Sequence, residues 1–223
     1  MGIQTTIKEI RNQLPDQVRL VAVSKFHPIQ AIEEAYAAGQ RIFGESKVQE
    51  MDEKHAALPS DIEWHFIGHL QTNKVKYIVP YVSMIHAVDS YKLLAEINKQ
   101  AAKCGRTIPC LLEIHIAQED SKFGFTFQEC RDMLKAGEWQ SLTHVDICGV
   151  MGMATNTDNE TQVYHEFETI YHFFEELKST YFKAASSSFK EVSMGMSHDY
   201  PLAIRAGSTL VRIGSKIFGE RNY

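Results

Sequence analysis

Cysteine is scarce in this chain and carries no pattern. The four residues Cys104, Cys110, Cys130 and Cys148 contain no CxxC and no paired-ligand spacing. That argues against a disulfide scaffold and against a structural zinc site. Cys110 and Cys148 sit inside apolar, strand-like runs, so buried reduced thiols and a reducing, cytoplasmic setting are expected. No apolar run approaches the ~20 residues of a membrane helix. The first eight residues lack the apolar core of a secretory signal. Positive charge is not in excess either. The net charge of −5 argues against a general nucleic-acid or anionic-membrane surface, though not against a local anion pocket. Ten histidines are present, yet no HExxH, HxH or Cys/His cluster, so no metal site is expected. Linkers, low-complexity segments and repeats are absent, so residues 1–223 are expected to form one domain.

What is present is a regular alternation. Strand patterns fall at 19–25, 41–44, 63–67, 84–88, 110–116, 145–150, 191–194 and 209–213. Helical patterns fall at 5–14, 28–38, 47–58, 91–104, 128–135, 160–182 and 202–206. Asp89 and Ser90 are placed to cap one helix, and Gly39 and Gly105 to stop two. Strict alternation implies a parallel sheet. Eight units in this length predict an α/β fold of the (β/α)8 TIM-barrel type with an extra N-terminal helix. An open doubly wound sheet is the competitor.

In such a barrel the working face is built from the carboxyl ends of the strands. Lys25 lies there, on the same strand face as Val21 and Val23. It is either a solvated strand end or an amine held in a pocket, where the neutral form can attack a carbonyl. After the last two strands come Ser193-Met194-Gly195-Met196-Ser197 and Arg212-Ile213-Gly214-Ser215. Barrels often hold a phosphate at this position, on glycine-rich backbone and hydroxyl donors. Arg212 faces inward while Val211 and Ile213 face the helices, so Arg212 needs an acceptor: Glu45, Glu113 or a ligand atom. His69 and His198 lie near the mouth as polar candidates. Met151, Met153, Met194 and Met196 flank it, for packing or for contact with a ligand ring. Strand eight closes onto strand one, so amine and phosphate cradle would be neighbours. Pyridoxal 5′-phosphate (PLP), with an aldehyde at one end and a phosphate at the other, would span them.

The stretches VAVSKFHP, FGESKVQE, WHFIGHLQTNK, AVDS, EDSKFGF, GVMGMAT, SMGMSHD and VRIGSKIFGER run in order from Val21 to Arg221. Through them the chain closely resembles the pyridoxal phosphate homeostasis protein family, whose fold is similar to the barrel domain of alanine racemase. The resemblance implies that Lys25 carries PLP as a Schiff base, that Ser193, Gly214 and Ser215 hold its phosphate, and that Arg212 lies near the pyridine nitrogen. Ser46 and Met194 are further expected contacts. Ser46 stands where the family usually has asparagine, and His198-Asp199-Tyr200-Pro201 departs from the family's acidic, methionine-containing helix start.

A permanently charged arginine disfavours protonation of the pyridine nitrogen and weakens the ring as an electron sink. Racemases of the related fold draw a second base from a further domain, for which this sequence offers no counterpart. Binding and delivery of PLP, in vitamin B6 and amino-acid balance, are therefore expected rather than turnover. An amino-acid racemase is the alternative, and a barrel for another phosphorylated metabolite is a third reading. Expected partners are PLP and PLP-dependent apoenzymes, for a chain that is monomeric or weakly dimeric.

Overall fold

The computed structural model describes residues 2–117, 123–183 and 188–220. Eight parallel strands close in sequence order into a barrel: β1 (Arg19–Val23), β2 (Ile42–Glu45), β3 (Glu63–Phe66), β4 (Met84–Val88), β5 (Ile108–Ile114), β6 (Val145–Gly152), β7 (Glu191–Ser193) and β8 (Leu210–Ile213). The helices among the described residues are α1 (Ile3–Gln13), α2 (Ile29–Ala37), α3 (Val48–Ala57), α4 (Val75–Ile78), α5 (Tyr91–Lys103), α6 (Phe127–Ala136), α7 (Glu160–Thr180), α8 (Tyr200–Arg205) and α9 (Ser215–Phe218). Helix α1 precedes the barrel, as expected. No helix among the described residues is long and apolar enough to cross a membrane.

Alternation sorts each strand into two cores. Leu20, Ala22, Trp64, Phe66, Val211 and Ile213 pack outward under the helices. Val21, Met84, Leu111, Cys148, Met151 and Leu210 form a smaller cluster inside the barrel. The inward positions nearer the carboxyl ends are polar and buried: His65, His86, Glu113, Ser193 and Arg212. An apolar plug below and a polar layer above are what place the site.

Local chemistry fixes the boundaries. Ser90 caps α5 by accepting from Leu93 N at 3.3 Å. Thr126 and Glu129 form a capping box that starts α6 one residue earlier than the pattern predicts. Strand β1 ends at Val23 rather than Lys25, because His27 N bonds Ser24 O at 3.1 Å and closes a turn. Helices α4 and α9 carry too few residues to show a helical period.

Candidate functional site

Lys25 is half-buried in the four-residue turn Ser24–His27. The next residue, Phe26, has φ +67°, the one positive value outside glycine among the described residues. A buried cluster grips the turn on both sides of the lysine. Lys54 Nζ donates to Ser24 O (2.8 Å), Glu45 Oε1 (2.7 Å) and Glu50 Oε1 (2.7 Å). Ser24 Oγ donates to Glu45 Oε1 at 2.6 Å, and Phe26 N donates to Glu50 Oε1 at 2.6 Å.

Strand β8 pairs with β1, Val21 opposite Arg212 and Ala22 opposite Ile213. Gly214 therefore follows beside Val23, so close that a Cβ there would stand 3.1 Å from Val23 O. The Lys25 turn and the loop after β8 thus open on the same rim. In that loop Gly214 N and Lys216 N both donate to Ser197 Oγ, at 3.2 and 3.4 Å. Gly195, at φ +94°, turns the preceding loop so that Arg212 N bonds Gly195 O at 2.9 Å. A side chain at 195 would meet Ala203 Cβ at 2.6 Å, so glycine is needed on two counts.

Deeper in the barrel, Arg212 is 5% exposed and donates through Nη1 to Ser193 O (2.8 Å) and Oγ (2.6 Å), and through Nη2 to Gly152 O (3.0 Å). Burial brings its guanidinium down to about 10, still a cation at neutral pH. Ser193 Oγ lies 2.9 Å from His86 Nδ1, and His86 Nε2 lies 2.9 Å from His65 Nδ1. Burial pushes His65 down to about 3 and His86 well below its ordinary value, so both rings are neutral. Arg212 donates to the Ser193 hydroxyl, which continues through His86 to His65 as one buried hydrogen-bonded chain. Glu113 faces the same space, 7% exposed, with Oε2 unpartnered. Burial, then Asp89, raise its carboxyl to about 7 against the pull of Arg212.

Residues 2–222 match the family model "Alanine racemase, N-terminal domain". The pyridoxal phosphate homeostasis protein of Haemophilus influenzae is 38% identical over 99% of this chain and 92% of its own. The chain belongs to the pyridoxal phosphate homeostasis protein family. PipY of Synechococcus elongatus, solved without PLP and with PLP bound, superposes at TM-scores of 0.90 and 0.87. It is 37% identical, over 98% of this chain and 100% of PipY. An alanine racemase from Streptomyces lavendulae, 17% identical, superposes at 0.76 over 97% of this chain and 56% of that one, a likeness of fold alone.

In this homeostasis-family chain the residues expected to contact the cofactor take the following places. Met194 is fully buried in the core between sheet and helices, because alternation turns it away from the barrel interior. Ser193 turns inward to Arg212 and His86, and the hydroxyl at the Gly214–Lys216 amides is that of Ser197. The second serine of SMGMS was the available signal. Arg212 bonds neither Glu45 nor Glu113 but two carbonyls and a hydroxyl. Ser46 sits at the end of β2 with Gly68 packed onto it; a Cβ at 68 would lie 2.7 Å from Ser46 Cβ. Ser215 is exposed on the rim and begins α9. His69 pairs with Asp89 at 3.1 Å and stacks on Phe123, while His198 is exposed. The stretch 118–122, with most of EDSKFGF, and Arg221 lie outside the described residues. No group of three potential metal ligands occurs among the described residues. His65 and His86 escaped the reading of the sequence, which named Glu113 only as a candidate acceptor for Arg212.

Glu113 gives a pH signature. Its carboxyl ionises near 4.5 when unfolded and about 7 when folded, so between those values the unfolded chain gives up a proton that the folded chain keeps. Stability therefore falls as pH rises through that interval. Glu113→Gln is expected to gain up to about 3 kcal/mol at pH 8 relative to pH 4.5 in urea unfolding. An equal effect at both pH values would contradict the assignment.

Proposed function

We propose that this chain binds PLP at the carboxyl-end mouth of the barrel and holds it or hands it over in vitamin B6 and amino-acid homeostasis. The observation that carries this reading is the β1–β8 pairing, which sets the Lys25 turn beside the loop of Gly214–Lys216. The donor set fits the group. Lys25 supplies an amine that bonds the aldehyde carbon with loss of water. The amides of Gly214 and Lys216, with the Ser197 and Ser215 hydroxyls, are donors of the kind that hold phosphate dianions. Arg212 brings a cation toward the pyridine nitrogen. Bound PLP would supply an electron-withdrawing ring, which that cation keeps from protonating and so keeps mild. The name shared by the relatives and the PLP-bound PipY support the same assignment.

Hand-over requires a partner that can sit on the mouth. Phe26, Phe123, Met153 and Met196 are exposed, and all four lie in loops that follow strands, around that opening. Exposed apolar groups rimming a site fit a transient protein contact, here with a PLP-dependent apoenzyme. The buried thiols of Cys110, Cys130 and Cys148 fit a reducing, cytoplasmic setting.

The test is a spectrum. Adding PLP to the purified protein is expected to give a visible band that borohydride bleaches and fixes to the chain. No band and no retained mass would overturn the reading. Ser197→Ala is expected to weaken retention by about 10- to 100-fold, the worth of one hydrogen bond to a charged group. Unchanged retention would move the phosphate elsewhere.

A further inference from the structure

We infer that Glu50 and Lys54 of α3, with Glu45 of β2, are positioning residues for Lys25: they hold a strained turn so that its amine is aimed into the mouth. The inference rests on the reading that Lys25 bonds the aldehyde. Residues 24–27 form a turn closed by His27 N on Ser24 O, and Phe26 occupies its third place with φ +67°. That place favours glycine or asparagine, and a bulky aromatic there is strained. Such strain persists only where the surroundings over-determine it, and it gathers at functional sites.

Here the surroundings are on view. Glu50 takes the Phe26 N–H, Lys54 takes the Ser24 carbonyl, and Glu45 takes the Ser24 hydroxyl. The residues on both sides of Lys25 are thereby fixed, while its own side chain stands between them. Lys54 is 4% exposed on a helix, an unusual place for a lysine unless it is paired. Glu50 and Lys54 are four residues apart, so they share one helix face, toward the turn.

The same cluster settles which amine reacts. All three ammonium hydrogens of Lys54 are committed, to Ser24 O, Glu45 and Glu50. An ammonium so held has no lone pair for a carbonyl. Lys54 therefore orients Lys25 without competing with it.

The experiment measures how fast PLP becomes borohydride-fixed to Lys25, by peptide mass. Alongside it runs the rate of reductive methylation of Lys25 and Lys54 in the cofactor-free protein. Glu50→Ala is expected to slow attachment about 10- to 100-fold, the cost of a small misplacement, with the thermal transition still cooperative. Glu50→Gln, which keeps an acceptor for Phe26 N–H but not the charge facing Lys54, is expected to lose less than Glu50→Ala. Adding Phe26→Gly to Glu50→Ala is expected to recover most of the rate, because glycine takes a positive φ without needing to be held. Methylation of Lys54 should rise in Glu50→Ala from near zero. Attachment at the wild-type rate in Glu50→Ala, or no recovery with Phe26→Gly, would overturn the inference. Failure of the wild-type protein to attach PLP at all would instead overturn the proposed function.

Discussion

Lys25→Ala protein mixed with PLP is expected to develop no visible band and to keep no cofactor mass after borohydride. The phosphate loop is untouched in this variant, so weak binding displaced by inorganic phosphate is expected to persist. The loss is complete because, among the described residues, no other lysine near the mouth is arranged to replace it. Lys54 has its three donors committed. Lys216 Nζ donates to Tyr200 Oη at 3.0 Å and lies over that ring. Lys47 lies over the Phe26 ring at 4.6 Å, outside the turn. A band of wild-type strength in Lys25→Ala would mean that another amine does the work.

The second large effect is acid sensitivity. The His65–His86 pair is buried and neutral, and His65 ionises near 3 when folded against 6.5 when free. Below 6.5 the unfolded chain takes up protons that the folded chain refuses, so stability falls as pH drops. Between pH 6.5 and 5 His65 is expected to forfeit about 2 kcal/mol, and His86 to add a loss in the same direction. Urea unfolding at the two pH values checks this. His65→Leu is expected to remove part of the pH dependence while lowering stability at pH 7, since His86 Nε2 loses its hydrogen-bond partner. In a Glu113→Gln background, where the opposing carboxyl is gone, a midpoint that does not move from pH 7 to pH 5 would contradict the neutral pair. The pair also bears on the cofactor. With both rings uncharged, Arg212 is the one cation of this buried chain, and its Ser193 and Gly152 bonds fix where that charge sits.

Most of the barrel could be read from the sequence because strand and helix periods are local. Leu20, Ala22, Val211 and Ile213 declare an outward face, and Val21 and Arg212 the inward one, by counting in twos. Counting fails where the backbone leaves the strand. After Ser193 the chain turns through Gly195, and the hydroxyl that reaches the Gly214–Lys216 amides is four residues on, at Ser197. Phe26 gives no local sign of its positive φ, since that conformation is imposed by Glu45, Glu50 and Lys54. His65 and His86 pair only through strand register, and Glu113 acquires its raised carboxyl only when the barrel closes around it. Each of these depends on groups distant in sequence, which no window along the chain contains.

The most direct measurement maps the borohydride-reduced, PLP-loaded protein by peptide mass. One modified peptide, containing Lys25, is expected, at one PLP per chain. Cofactor mass on Lys47, Lys54 or Lys216, with Lys25 unmodified, would contradict it.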